Sequence, residues 1–366
     1  MDQERLSLLA LHFIPGVGTH LVKQLISYCG SASEVFKRPK GKLQNIPGVG
    51  PTTAHSIVTG NTFALAEHEL KKASREDTEI IFYIDKKYPS RLKVIDDAPS
   101  MLYFKGNCNL NHHKVVSIVG TRQATSYGKK VVEKIIEDLI PHQPLILSGL
   151  AYGIDIHSHR QAIKHNLSTL GVMGSGIDVI YPGNHADVAR KMMDHGGLIT
   201  ENFFGTKPDA HNFPSRNRII AGMCDALIVV EAAETGGALI TAEIANSYSK
   251  DVFAIPGAIG QTYSEGCNKL IKINKAALLT SVKDLEYIMN WVPGNSGVEP
   301  VKRSNVLLNA EEQQIMDAIT TKGSAMQIDE LAWKTGMPQG VLGSLLLQLE
   351  FKGMIRATPG KMFAIA

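Results

Sequence analysis

Apolar residues recur at helical spacing through the first 70 residues, as Leu6, Leu9 and Phe13, then Leu21, Leu25 and Ile26, then Ala54, Ile57 and Val58. That spacing predicts short helices, each with one face toward a core. From about 71 to 112 the chain turns charged and then carries two short apolar runs, Ile80-Ile81-Phe82-Tyr83 and Met101-Leu102-Tyr103-Phe104, around a Pro-bearing loop. These read as strands that extend the sheet of the next region. From about 113 to 290, apolar runs alternate with helical patterns: Val115 to Val119, Pro144 to Leu147, Thr169 to Met173, Leu198 to Thr200, Ala226 to Val230, Val252 to Ile255 and Ala277 to Thr280. Strict strand–helix alternation predicts a parallel sheet covered on both faces. After the linker Val292-Pro293-Gly294-Asn295-Ser296-Gly297, Ala310 to Thr320, Asp329 to Lys334 and Gln339 to Phe351 read as three helices. A hairpin closes the chain, Met354-Ile355-Arg356 against Lys361-Met362-Phe363-Ala364, turning at Pro359-Gly360. The expected domains are residues 1–70, 71–292 and 305–366.

Composition narrows the picture. A chain of 366 residues with 44% hydrophobic, 20% charged and 33 glycine residues is too long for one ordinary core. The net charge of +3 means that any basic binding face is local. Cys29, Cys108, Cys224 and Cys267 form no C-x-x-C pair, so neither a disulfide framework nor a cysteine zinc site is indicated. The start, Met1-Asp2-Gln3-Glu4-Arg5, lacks a basic signal region, and no apolar run reaches the roughly 18 residues that span a bilayer. The expectation is a soluble, cytoplasmic protein with no membrane partner.

The unusual residues cluster at one edge. Gly120-Thr121-Arg122, Ser148-Gly149, Gly174-Ser175-Gly176, Glu231 and Pro256-Gly257 all follow the carboxyl ends of predicted strands. Ligands bind at that edge of an open α/β sheet. Phe213-Pro214-Ser215-Arg216-Asn217-Arg218 stands where a loop becomes a helix, with an aromatic face for a base and two guanidinium groups for phosphate. The alternative is a helix start whose arginines pair with carboxylates and whose Phe plugs the core. No dinucleotide fingerprint is present, because Arg122 stands where close cofactor packing needs glycine, and Gly128-Lys129 lacks the rest of a P-loop. No cofactor is expected. His157 and His159 lie two apart on a helix and cannot form an i, i+4 metal pair, so no metal is expected either. Asp155 and Asp178 read as helix caps or turn residues rather than an acid–base pair, and Glu231 as the residue that holds Arg216 or Arg218.

Near the N-terminus, Ile14-Pro15-Gly16-Val17-Gly18-Thr19 returns as Ile46-Pro47-Gly48-Val49-Gly50-Pro51, about 32 residues later. A Pro-Gly-x-Gly turn between short helices resembles the helix-hairpin-helix motif, in which the amides around Gly16, Gly18, Gly48 and Gly50 would offer accessory phosphate contacts without reading sequence. The alternative is a turn that merely needs glycine, as in helical interaction modules. The three C-terminal helices and hairpin resemble a winged helix, yet the third helix carries no Arg or Lys. A recognition helix without cations reads the major groove poorly, which puts protein contact, or packing on the rest of the chain, ahead of DNA binding.

Ser117-Ile118-Val119-Gly120-Thr121-Arg122, Ser148 to Asp155 with His159, Gly174 to Asp178 with Tyr181-Pro182, Phe213 to Gly222, Gly236 to Ala242 and Val252 to Gly257 together resemble the DNA-processing protein A (DprA/Smf) family. The resemblance implies an α/β fold: a Rossmann-like parallel sheet core with an N-terminal helical (helix-hairpin-helix or SAM-like) domain and a C-terminal winged-helix-like domain. It further implies a cytoplasmic homodimer that binds and protects incoming single-stranded DNA and helps load the RecA recombinase during natural transformation and recombination. By the motif match, Gly120, Thr121, Arg122, Ser148, Gly149, Phe213, Arg216, Asn217, Arg218, Gly236 and Gly237 would bind nucleic acid, with no catalytic residue. The competing reading is an enzyme: Glu234 to Glu243 is loosely similar to the P-G-G-x-G-T-x-x-E stretch of nucleotide phosphoribohydrolases, though Glu234 replaces the proline and the threonine is shifted. A pure interaction scaffold is the third reading.

Overall fold

The computed structural model describes residues 3–210, 212–293, 308–322, 326–352, 354–358 and 362–365. The linker expected from Gly294 and the turn expected at Pro359-Gly360 lie outside these residues. The chain divides into two compact units, Met1–Gly297 and Val298–Ala366.

In the first unit, the described strands are β1 (Glu79–Phe82), β2 (Met101–Gly106), β3 (Val115–Gly120), β4 (Leu145–Gly149), β5 (Thr169–Val172), β6 (Gly196–Thr200), β7 (Ala226–Val230), β8 (Asp251–Ala254) and β9 (Ala277–Leu278). They form one sheet in the order β1-β2-β6-β5-β4-β3-β7-β8-β9. From β6 across to β9 every pairing is parallel, whereas β1 and β2 join antiparallel at the other end. The two early apolar runs thus extend the sheet, as their pattern predicts.

Alternation along each buried strand sends side chains to two cores. Val115 and Val119 of β3 pack with Leu147, Leu227, Ile219 and Ala242 on one face. Val116 and Ile118 pack with Val132, Ile136 and Ile154 on the other. Helices cover both faces, which is why these strands read as nearly continuous apolar runs.

The order of the strands fixes where a ligand can sit. From β3 the chain winds outward through β4 and β5 to β6, then returns to place β7 on the opposite side of β3. Between β3 and β7 the windings diverge, and a crevice opens beyond their carboxyl ends.

The early helices, Gln3–His12, Thr19–Cys29, Ala32–Lys37, Lys40–Leu43, Pro51–Thr59 and Thr62–Arg75, share a core with the sheet. Leu8, Leu9, Leu11, Leu25 and Ile57 belong to the same cluster as Phe82, Tyr103 and Leu198 of the strands. Each fully buried Leu or Ile contributes about 1.5–3 kcal/mol. Buried Glu69 joins the two parts, accepting from Tyr103 Oη at 2.8 Å and from Phe204 N at 2.9 Å. The described early helices therefore share one packed core with this edge of the sheet. Gly16 and Gly48 both adopt φ 79°, so the repeated sequence makes the same left-handed turn twice.

The second unit has helices Ala310–Lys322, Ile328–Thr335 and Gln339–Phe351 and a small sheet of β10 (Met326–Gln327), β11 (Ile355–Thr358) and β12 (Met362–Ile365). β12 lies between β10 and β11, and both pairings are antiparallel. Ile315, Ile319, Leu331, Leu342, Leu346 and Leu349 fill its core. No helix among the described residues is long and apolar enough to cross a membrane.

Candidate nucleic-acid interface

The crevice between β3 and β7 encloses about 800 Å³. Its first wall is the loop after β3. Thr121 N donates to Glu231 O at 2.8 Å, and Ile154 N donates to Thr121 O at 3.1 Å. Gly153 permits this contact: it sits at φ +78°, and a Cβ there would lie 2.2 Å from Thr121 O. With the backbone pinned, the Arg122 side chain is exposed at the mouth. Its guanidinium carbon lies 5.5 Å from the centre of the Phe213 ring, a cation–π contact.

Phe213 stands in the first turn of the helix Asn212–Met223 and is half-buried, with the Tyr181 ring 6.2 Å away at an interplanar angle of 42°. Opposite stands the N-terminus of the helix Gly237–Ser247, capped by Gly236. Leu239 N and Ile240 N both donate to Gly236 O, so the N–H groups before them have no acceptor within the helix. A side chain at Gly236 or Gly237 would meet nothing within 4 Å, and both glycines line the crevice. The positive end of a helix, open backbone amides, an exposed cation and a ring surface therefore meet around one space. That combination suits phosphate together with a flat heterocycle.

The structure brings Gly120, Thr121, Arg122, Phe213, Arg216, Asn217, Gly236 and Gly237 to this crevice. Arg216, however, is floor rather than rim. It is 6% exposed, its Nη1 donates to Val172 O at 2.7 Å, and it lies beside Asp155, itself buried in the first turn of the helix Ile154–Lys164. Both groups crowd against Gly149, where a Cβ would stand 1.9 Å from Arg216 Nη1 and 2.4 Å from Asp155 Oδ2. Burial pushes the Asp155 carboxyl up, and the Arg216 charge opposes the shift. The expectation of an Arg216 free to meet phosphate is corrected accordingly: its guanidinium is buried, bonded to Val172 O and close to the Asp155 carboxyl.

Arg218 points elsewhere, because residues two apart on a helix lie about 200° apart around its axis. It pairs with Glu201 and is absent from the crevice lining. Glu231 holds neither arginine. Its carboxylate accepts from Thr125 N at 2.9 Å and from Thr125 Oγ1, which fixes the start of the helix Ser126–Leu139. Ser148 is fully buried and donates to Ile118 O at 2.6 Å, so Ser148 and Gly149 support the floor from below. Asp178 acts as a turn residue, accepting from Gly205 N at 2.8 Å and pairing with Lys72. His159 is enclosed between Thr169 Oγ1 and Gly149 O, and burial pulls its pKa down to about 4. Gly16, Gly18 and Gly48 line a separate shallow cleft of about 620 Å³ among the early helices.

Gln123, Tyr181, Thr235, Thr241 and Tyr263 line the crevice without having been singled out by the sequence for a role. Tyr263 has a readable signal: it follows Pro256-Gly257 at the same sheet edge. Thr241 lies one turn into the helix Gly237–Ser247, and the other three sit on loops whose paths no local pattern encodes.

Comparison with known proteins gives two family matches, DNA recombination-mediator protein A over residues 79–290 and the DprA winged helix domain over 299–361. Protein Smf of Escherichia coli (strain K12) is 34% identical over 282 residues, which cover 75% of this chain and 74% of that one. The DNA processing protein DprA of Streptococcus pneumoniae is 41% identical over 206 residues, covering 55% and 71%. In three dimensions, the X-ray structure of DNA processing protein A from Streptococcus pneumoniae superposes with a TM-score of 0.67 at 32% identity, over 78% of this chain and 98% of that one. DNA processing protein A from Helicobacter pylori, solved for its single-stranded DNA binding mode, gives a TM-score of 0.53 at 25% identity, over 58% and 95%.

Proposed function

The chain belongs to the DNA recombination-mediator protein A family, and from that premise we propose that it binds single-stranded DNA in the crevice between β3 and β7 during DNA processing. The observation that carries the reading is Arg122 over Phe213, exposed at the mouth and facing the open N-terminus of the helix Gly237–Ser247. Arg122 and the Gly236-Gly237 amides neutralise phosphate, while Phe213 and the guanidinium plane supply stacking surface. Neither demands a base sequence, which suits a protein that meets arbitrary strands. Arg216 and Gly149 hold the floor, and Asn217 supplies a polar contact. The related Helicobacter pylori protein binds single-stranded DNA.

In this reading the chain acts as a cytoplasmic homodimer, protects the strand and hands it to RecA in natural transformation. Residues 71–292 hold the strand. The turns around Gly16, Gly18, Gly48 and Gly50 add backbone phosphate contacts, and residues 305–366 serve protein contact. The enzyme reading is weaker: Glu243, the counterpart of a water-activating glutamate, is half exposed, pairs with Lys275 and is absent from the crevice lining. Titrating labelled single- and double-stranded oligonucleotides into the full chain tests the proposal. Tighter binding of the single strand is expected, and equal or stronger binding of the duplex would overturn it.

A further inference from the structure

A second cavity, of about 730 Å³, opens beside the crevice at the same edge of the sheet. Thr125, Tyr127, Glu231, Pro256, Gln261 and Tyr263 line it. Tyr263 also lines the crevice, and its hydroxyl is hydrogen-bonded to the Gln123 side chain, which lines the crevice too. A single side-chain wall therefore separates the two spaces. The Tyr127 ring is fixed in place because its hydroxyl donates to Pro256 O at 2.7 Å, and it remains 47% exposed.

The two spaces differ in charge. At the crevice the exposed ion is Arg122, whereas the charged side chain lining the second cavity is Glu231. Glu231 is held in a left-handed backbone conformation, φ 56°, by Thr121 N on its carbonyl, and its carboxylate receives the two bonds from Thr125. An ionised carboxylate has about four acceptor positions, of which Thr125 fills two, and Glu231 lines the cavity. A phosphate there would meet like charge. A nucleobase would find aromatic surface on Tyr127 and Tyr263 and an acceptor for an amine.

We infer that the second cavity is a base pocket for the strand held at the crevice, taking a nucleobase that carries an exocyclic amine. Cytosine presents its amine to the Glu231 carboxylate. Thymine presents a carbonyl oxygen at the same position, lone pair against lone pair. The inference rests on the proposed binding of a single strand at the crevice.

The test compares full-chain binding of labelled oligodeoxycytidylate and oligodeoxythymidylate of equal length, for wild type, Tyr127→Phe and Tyr127→Leu. Glu231 is left untouched because it also fixes a helix start. Wild type is expected to favour the cytidylate strand several-fold. Tyr127→Leu should weaken that strand about 5- to 10-fold and erase the preference, while Tyr127→Phe keeps the ring and most of the affinity. An unchanged far-UV spectrum and an unchanged salt slope for Tyr127→Leu would show that fold and crevice are intact. If wild type binds both strands equally, or Tyr127→Leu keeps the wild-type preference, the inference fails while the crevice reading stands. If wild type binds neither strand, both fail.

Discussion

Removing the Arg216 guanidinium by Arg216→Met should destabilise the first unit more than it alters any surface property. Asp155 is 7% exposed and its carboxylate flanks Gly149 together with Arg216 Nη1. Taking away the guanidinium removes the charge that opposes the upward shift of the buried Asp155 carboxyl and leaves Val172 O without its donor, at a cost of about 1–3 kcal/mol. Combining Arg216→Met with Asp155→Asn removes the ionisable carboxyl and should recover more than half of the loss. Urea denaturation at pH 7, followed by far-UV circular dichroism and by the fluorescence of Trp291 in the first unit, measures both variants. If Arg216→Met unfolds at the wild-type midpoint, Asp155 does not depend on Arg216, and the assignment of this arginine to the floor is wrong.

Other consequences follow from the same geometry. His159 titrates near 4 in the folded chain against an ordinary 6.5, so the unfolded chain takes up its proton first as pH falls. Stability should therefore drop between pH 6.5 and 4, by about 3 kcal/mol in total, and an unaltered pH slope in His159→Gln would refute the assignment. Arg218→Gln should leave single-strand affinity within about twofold of wild type, since Arg218 pairs with Glu201 away from the crevice; a tenfold loss in an oligonucleotide titration would contradict that placement. Burial pushes the thiols of Cys108 and Cys267 up to about 12 and that of Cys224 up to about 11. These three should label with a thiol reagent at pH 8 only on unfolding, and rapid labelling in the native protein would show that their burial is misjudged.

Much of the scaffold was legible because its signals are local. The nearly continuous apolar runs of β3, β4 and β7 follow from a sheet covered on both faces, and the helix Gln339–Phe351 has the bounds that its pattern predicts. The glycine turns at 16 and 48 were visible because one sequence needs one conformation twice. Charge placement was less legible. Arginine reads as a surface residue, and only the approach of Gly149 at a strand end and Asp155 on the following helix shows why Arg216 is buried. The partners of Glu231 and Arg218 were missed for the same reason: Thr125 lies 106 positions from Glu231, and Glu201 lies 17 from Arg218. The divergence of Arg216 and Arg218, by contrast, was implicit in helical geometry. The early helices have a period that announces an apolar face, but nothing in that period says that the face closes onto β1, β2 and β6.

The most direct test of the crevice is the salt dependence of single-strand binding in wild type and Arg122→Ala. Arg122 is exposed, so its removal should spare the fold. For a single strand, each phosphate contact contributes about 0.7 to the slope of log affinity against log salt. The account predicts that Arg122→Ala binds more weakly at low salt, with a slope shallower by about that amount, and that the two proteins converge as salt rises. Equal affinities and parallel slopes across the range would place the strand somewhere other than the space between β3 and β7.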